Sequence, residues 1–307
     1  DDLEPELDTS AIHLIRDNSK CVLCRRCTAV CKKNQEVAVI GPADRGFKTH
    51  IESPFGRGLG EVDCINCGQC ITNCPTGAIT LNKQIAQVEE ALKDPSKKVV
   101  AMPAPSVRVG LGDEFGMPAG ENIEGKMATA LKRIGFDFVF DVNWGADITI
   151  MEEGTELLGR IKNGGKFPMF TSCCPGWVKF MEYNHPDMLD NLSSCKSPLE
   201  MQGGVIKTYF AEKEGLNPED IVVVSIMPCT AKKFEISRKD HEVDGLAPSD
   251  YSLTTRELAM MIKQRGMIFR NLPDSAYDHL LSEYTGAGVI FGASGGVMEA
   301  ALRNAVA

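Results

Sequence analysis

Two cysteine runs of identical spacing constrain this chain more than anything else in it. Cys21, Cys24, Cys27 and Cys31 read C-x2-C-x2-C-x3-C, and Cys64, Cys67, Cys70 and Cys74 repeat the run with Pro75 after it. Eight of the 12 cysteines crowd into these two groups, while Cys173, Cys174, Cys195 and Cys229 are scattered. Such crowding favours metal over disulfides, because thiols so close along one loop seldom reach bridging geometry and the chain reads as one of a reducing compartment. Structural zinc is the rival, but zinc sites usually pair C-x2-C units across longer gaps instead of setting three cysteines in one tight row.

In the bacterial two-cluster ferredoxin pattern, three thiolates of a run cap three corners of one 4Fe4S cubane and the fourth cysteine reaches across to the other cluster. By that rule one cluster takes Cys21, Cys24, Cys27 and Cys74, and the second takes Cys31, Cys64, Cys67 and Cys70. Small residues such as Gly68 help the loop wrap. The expected unit is a ferredoxin-like α+β domain over residues 16–83, closed by a strand through 78–81, with a long connection over 36–61. Residues 1–15 are acidic and turn-prone and read as a linker or the end of a missing upstream module, with His13 at the surface.

The 307 residues suffice for two or three domains with real cores. No run approaches the roughly 18 apolar residues of a membrane span. The net charge of -9, from 33 basic and 42 acidic residues, argues against a phosphate-binding surface. Neither membrane nor nucleic acid is therefore an expected partner. The chain shows no basic-then-apolar leader, starts without Met, and ends at Ala307 inside a helical pattern begun near Gly296, which suggests a fragment at both ends. The expected location is the cytoplasm, with the periplasm open because the natural start is missing.

Beyond the front unit, residues 84–93 read as a polar helix and 97–102 as a β-branched strand that opens a new domain near residue 95. Strand-like stretches at 138–142, 168–171, 221–227 and 286–292 alternate with helical ones at 149–162, from 176, at 254–264 and from 296. Alternation argues an α/β domain with mostly parallel sheets, in two lobes of about 95–192 and 193–307, the second incomplete at its C-terminus. Ligands of open α/β sheets bind beyond the carboxyl ends of the strands, where Cys173, Cys174, Cys229 and the Gly295–Gly296 turn are expected to fall. Cys173 and Cys174 stand between a strand and a helix N-terminus, whose dipole favours thiolate, and Lys232 and Lys233 beside Cys229 balance negative charge. A strand-end cysteine alone is more often a small hydrophobe than a ligand, but two iron-sulfur clusters in the same chain reverse that weighting.

Three segments then resemble, in order, a known family. Thr-Ser-Cys-Cys-Pro-Gly-Trp over residues 171–177 and Met-Pro-Cys-Thr-Ala-Lys-Lys over 227–233 are similar to the first two signatures of the catalytic subunits of iron-iron hydrogenases. Phe-Gly-Ala-Ser-Gly-Gly-Val-Met-Glu-Ala-Ala over 291–301 resembles the approach to the third, and the likeness covers nearly the whole chain. The resemblance implies a hydrogen-forming or hydrogen-oxidising enzyme of anaerobic metabolism. Its H-cluster is a 4Fe4S cubane joined through a cysteine to a two-iron unit with CO, cyanide and a bridging dithiolate amine. By position, Cys174 and Cys229 would ligate that cubane, Cys173 would pass protons to the amine, and Lys232 would hydrogen-bond an iron-bound cyanide. Ala104, Pro105 and Ser106 match the loop beside the two-iron unit, and Met227 is similarly placed, with a core role equally open. Glu153, Glu156 and Ser193 match the proton path, the glutamates lying three apart on a helix after Asp147 and so sharing a face; the bland alternative is a solvated acidic face.

The family's third signature, which supplies the last two cysteines, lies beyond Ala307, so the intact protein or a companion chain must provide them. Leu199 stands where the family tends to carry a polar residue, and Cys195 is additional. The implied partners are a ferredoxin or an NAD(P)-linked redox subunit, and hydrogenase maturation proteins. Two rivals from other classes share the fold: a non-catalytic iron-sulfur carrier or assembly protein, opposed by Glu153, Glu156, Cys173 and Lys232, and a hydrogen sensor, opposed by the retained Cys173.

Overall fold

A computed structural model describes residues 7–306. The chain forms two compact units, one of residues up to 83 with 175–187 and 229–234, the other of 84–174, 188–228 and the residues from 235 onward.

The first unit is built on a three-stranded antiparallel sheet of order β1-β2-β5, with β1 at Leu7–Asp8, β2 at Leu14–Asp17 and β5 at Ile79–Leu81. Leu14 pairs with Leu81 and Arg16 with Ile79. The segment expected as a linker thus supplies β1 and the start of β2, while residues 1–6 of it lie outside the described residues. His13, expected at the surface, is fully buried, because its carbonyl continues the ladder by accepting from Asn82 N at 3.1 Å. The connection over 36–61 holds a hairpin of β3 (Gly41–Ala43) and β4 (His50–Glu52).

The repeat in sequence becomes a repeat in backbone. Leu23 and Asn66, at equivalent places in the two runs, have φ of 54° and 60°, and Arg25 and Gly68 have φ of 60° and 72°. These left-handed residues wrap the chain around each cysteine group and lead into the helices Arg26–Lys33 and Gln69–Asn73. Glycine is required at 68 on a second ground, since a Cβ there would collide with the Thr230 hydroxyl.

The second unit carries a four-stranded parallel sheet of order β7-β6-β8-β9, formed by β6 (Lys98–Pro103), β7 (Phe138–Val139), β8 (Ile221–Met227) and β9 (Tyr251–Thr254). The central strands β6 and β8 pair over their whole lengths from Lys98↔Ile221 to Pro103↔Ile226. Both read as continuous apolar runs because helices cover both faces. The strands of this one sheet come from both sides of residue 192, with β7 outside β6 and β9 outside β8.

Two expected strands are absent as such. Residues 168–171 contribute one parallel bridge, Phe170↔Leu192, since Pro168 has no N–H to extend a ladder. Residues 286–292 contain the helix Gly286–Ile290. Thr285 caps it by accepting from Ala287 N at 3.1 Å, and the Asp147 carboxylate accepts from Thr285 N at 2.5 Å and Gly288 N at 2.8 Å. A negative charge on free amides at a helix start stabilises that start. The helix Val142–Asn163 carries Asp147, and the following helix is Gly296–Val306. Among the described residues no helix is long and apolar enough to cross a membrane.

Asp147→Ala is expected to cost about 1 to 2 kcal/mol and to speed amide exchange over residues 286–290 ahead of the rest of the unit. Unchanged exchange there would show that the carboxylate does not hold the helix.

Candidate functional site

Two cavities in the first unit divide the cysteines crosswise. One is lined by Cys21, Cys24, Cys27 and Cys74, with Arg16, Ile51 and Ile79 around them. The other is lined by Cys31, Cys64, Cys67 and Cys70, with His13, Val39, Ile40 and Leu59. Each takes three thiols from one run and the fourth from the other.

Burial pushes the Cys27 and Cys64 thiols up to about 11 and raises Cys67 and Cys70 as well. Thiols so buried become thiolates only against a strong positive charge. Cys74 goes the other way: burial opposes it, but the backbone N–H groups of Ile79, Thr76 and Ala78 lower it. Cys229 belongs to this same unit, close enough that its charge, after burial and the charge of Cys31, helps raise Cys67. Lys232, also in this unit, is half-buried at the start of the helix Lys232–Glu235, and Lys233, grouped with it on sequence, is fully buried.

In the second unit Cys173 is half-buried and Cys174 exposed, immediately before the helix Pro175–Asn184. The segment that presents them is stitched to the segment carrying Ser193. Phe170 N donates to Asn191 O at 2.8 Å, Ser193 N to Phe170 O at 2.7 Å, and Ser172 Oγ to Cys195 O at 2.6 Å. Ser193 Oγ in turn donates to Glu156 Oε2 at 2.8 Å, which also accepts from Ser194 N at 3.0 Å. Arg160, a residue the sequence reading missed, donates from Nε to Glu156 Oε1 at 3.0 Å and from Nη2 to Leu192 O at 2.7 Å. Its position four residues after Glu156 on a helix was the available signal.

The two glutamates of this helix differ sharply. Glu153 is 2% exposed, with Oε2 buried and without a hydrogen-bond partner among the described residues. Burial raises its pKa, with the nearby Glu156 charge adding to the rise. At Glu156 burial acts in the same sense, but the hydrogen bonds from Ser193, Arg160 and Ser194 outweigh it and the carboxyl lies below its usual range. Cys195, half-buried near them, is pushed up to about 11 by burial and by the charges of Glu153, Glu156 and Glu152.

The loop after β6 is fixed at several points. Ala104 N donates to Ile226 O at 2.9 Å, which places residues 104–106 where β6 and β8 meet and the strand order reverses. Arg108 Nε donates to Pro105 O at 3.1 Å, and Arg108 Nη2 holds both oxygens of the fully buried Asp141 at 2.8 and 2.7 Å. Asp141 also caps the helix Val142–Asn163 through Asn143 N at 3.0 Å, so one ion pair ties the loop to the helix of the glutamates. Met227 is 2% and Leu199 1% exposed in the main core. The turn at Gly295 and Gly296, with φ of 92° and 50°, follows a helix and not the strand expected there.

A profile of 4Fe-4S dicluster domains matches residues 14–79, and one for the iron only hydrogenase large subunit, C-terminal domain, matches residues 97–307. The chain belongs to the iron-iron hydrogenase family. It is 47% identical over 298 residues to an NADP-reducing hydrogenase subunit of Solidesulfovibrio fructosivorans, covering 95% of this chain and 51% of that protein. It is 45% identical over 306 residues to the periplasmic iron hydrogenase large subunit of Nitratidesulfovibrio vulgaris, covering 98% and 70%. A solved apo FeFe hydrogenase of Chlamydomonas reinhardtii matches with a TM-score of 0.66 and 45% identity over 72% of this chain and 57% of that one. The chain spans about half the length of the first of these relatives.

The front end of this hydrogenase-family chain offers the donors a pair of cubanes takes, four thiols around each of two cavities.

Cys21→Ser and Cys74→Ser, drawn from different runs, are expected to abolish the same paramagnetic signal and to lower iron by about four atoms per chain; Cys31→Ser and Cys64→Ser should abolish the other. Different signals lost within either pair would contradict the crosswise assignment. Arg108→Ala, which strands a buried carboxylate, is expected to cost about 3 to 5 kcal/mol in denaturant unfolding.

Proposed function

We propose that this chain is the electron-wiring and proton-delivering part of an iron-iron hydrogenase, which interconverts protons and electrons with hydrogen. The observation that carries this reading is the crosswise division of the front cysteines over two cavities, with Cys229 in electrostatic reach of Cys67. In this reading Cys21, Cys24, Cys27 and Cys74 hold one cubane and Cys31, Cys64, Cys67 and Cys70 a second. Cys174 and Cys229 contribute to the third, and the intact protein or a companion chain supplies the remaining thiolates. When bound, the cubanes supply one-electron chemistry and a two-iron unit with CO, cyanide and a bridging dithiolate amine supplies the making or splitting of the H–H bond.

The chain's own residues handle protons. Cys173 would hold a proton at Sγ next to that unit, and Glu153 would exchange it from a carboxyl that burial keeps ready to be protonated. Ser193 Oγ, donating to Glu156, would pass the proton on, and Glu156, held ionised by Ser193, Arg160 and Ser194, would receive it toward the solvent side. Lys232 would donate to a cyanide, and Ala104, Pro105, Ser106 and Met227 would wall the unit in a loop fixed by Arg108.

The partner would be a ferredoxin or an NAD(P)-linked subunit, as the relative named an NADP-reducing hydrogenase subunit suggests. Maturation proteins would load the two-iron unit. The cytoplasm is the proposed location, with the periplasm, named for the Nitratidesulfovibrio vulgaris relative, the alternative.

The matured full-length protein is expected to turn over hydrogen with a viologen dye, and no turnover would defeat the reading. Cys173→Ser is expected to keep its full iron content while turnover falls by about 10²- to 10⁴-fold. Loss of iron in that variant would make Cys173 a ligand and not a proton carrier.

A further inference from the structure

His13 is buried in the first unit and has no part in the proton path. It is 0% exposed and lines the cavity of Cys31, Cys64, Cys67 and Cys70. Its tautomer follows from its neighbours. Lys179 Nζ donates to Asn66 Oδ1 at 2.9 Å, and an ammonium only donates, so the amide oxygen of Asn66 must face Lys179. The other end of that amide, Nδ2, is then a donor, and it lies 2.7 Å from His13 Nδ1. Nδ1 must accept, which puts the ring proton on Nε2.

That Nε2–H is buried and has no hydrogen-bond partner among the described residues. A buried donor without an acceptor is costly and calls for an explanation. The surroundings are built to hold the arrangement. Lys179 is 8% exposed and sits 4.1 Å from the centre of the Phe234 ring, and Thr230 Oγ1 donates to Asn66 O at 2.8 Å, fixing the loop between Cys64 and Cys67.

We propose that His13 Nε2–H donates a hydrogen bond to a sulfur of the cluster held by Cys31, Cys64, Cys67 and Cys70, with Asn66 and Lys179 fixing the donor. The inference rests on the assignment of a 4Fe4S cluster to that cavity. An N–H bonded to a cluster sulfur stabilises the reduced, more negative state over the oxidised one, so His13 raises that cluster's potential. With Nδ1 accepting from the Asn66 amide and the ring proton on Nε2, the donor is a neutral imidazole. Three residues further on, in β2, Arg16 lines the other cavity with Nε and Nη1 likewise unmatched among the described residues, while its Nη2 is paired to Asp8 at 3.2 Å. The segment from His13 into β2 thus borders both cavities with N–H groups, neutral on one side and cationic on the other.

The test is a redox titration of the reconstituted holoprotein followed by electron paramagnetic resonance. His13→Leu keeps the bulk and removes the donor, and it is expected to move one cluster midpoint to lower potential and leave the other in place. His13→Gln, which restores an N–H, is expected to recover part of the shift. Two unmoved midpoints in His13→Leu overturn the hydrogen bond. Should that variant not assemble, the unaltered protein labelled with ¹⁵N-histidine decides the matter by hyperfine spectroscopy of its reduced clusters. A histidine nitrogen coupled to one cluster supports the proposal, and two intact cluster signals without such coupling overturn the hydrogen bond alone. Absence of a second four-iron signal overturns the cluster assignment, and this inference with it.

Discussion

The burial of thiols that need a positive charge beside them governs the first unit. Cys27 is 7% exposed and packs with Leu14, Ile51 and Ile79, the residues that also make the core. A thiolate cannot sit there without compensation, which the iron of a bound cluster would provide, so that metal binding and folding would share one free energy. The crosswise division makes the constraint stronger. Neither cysteine run lines a cavity alone, so a bound cluster would tie together the two helices that carry Cys27, Cys31 and Cys70.

The second unit fixes the residues of the proposed proton path. Its parallel sheet puts the loop after β6 and the end of β8 side by side, and the Arg108–Asp141 pair passes that fixed geometry to the start of the helix bearing both glutamates. Along that helix the environment changes within one turn. Glu153 faces the interior with an unmatched oxygen, whereas Glu156 is surrounded by donors from Ser193, Ser194 and Arg160. The opposite pKa shifts follow from those surroundings and not from the residue type.

How much was legible in the sequence follows the range of the interactions. The cysteine grouping was readable because thiol spacing on one loop is local, and the left-handed pairs Leu23 with Arg25 and Asn66 with Gly68 are its local consequence. The parallel α/β character was readable from alternation, but the order β7-β6-β8-β9 was not, because it depends on pairing between strands far apart in the chain. Residues 286–290 read as a strand since a short apolar run carries no decisive period, and the capping carboxylate that makes them a helix comes from Asp147. His13 looked like a surface residue for the same reason: its burial is set by β5, and its tautomer by Asn66 and Lys179. The shared face of Glu153 and Glu156 was visible in their spacing; their difference was not, because the loop at 193–195 creates it.

The account stands on two cubanes in the front end, and the direct measurement is iron and acid-labile sulfide content with Mössbauer spectra of the anaerobically reconstituted chain. At least two clusters of the four-iron, four-sulfide type per chain are predicted, with no zinc retained. A protein that takes up zinc in place of iron, or none of either, would contradict it.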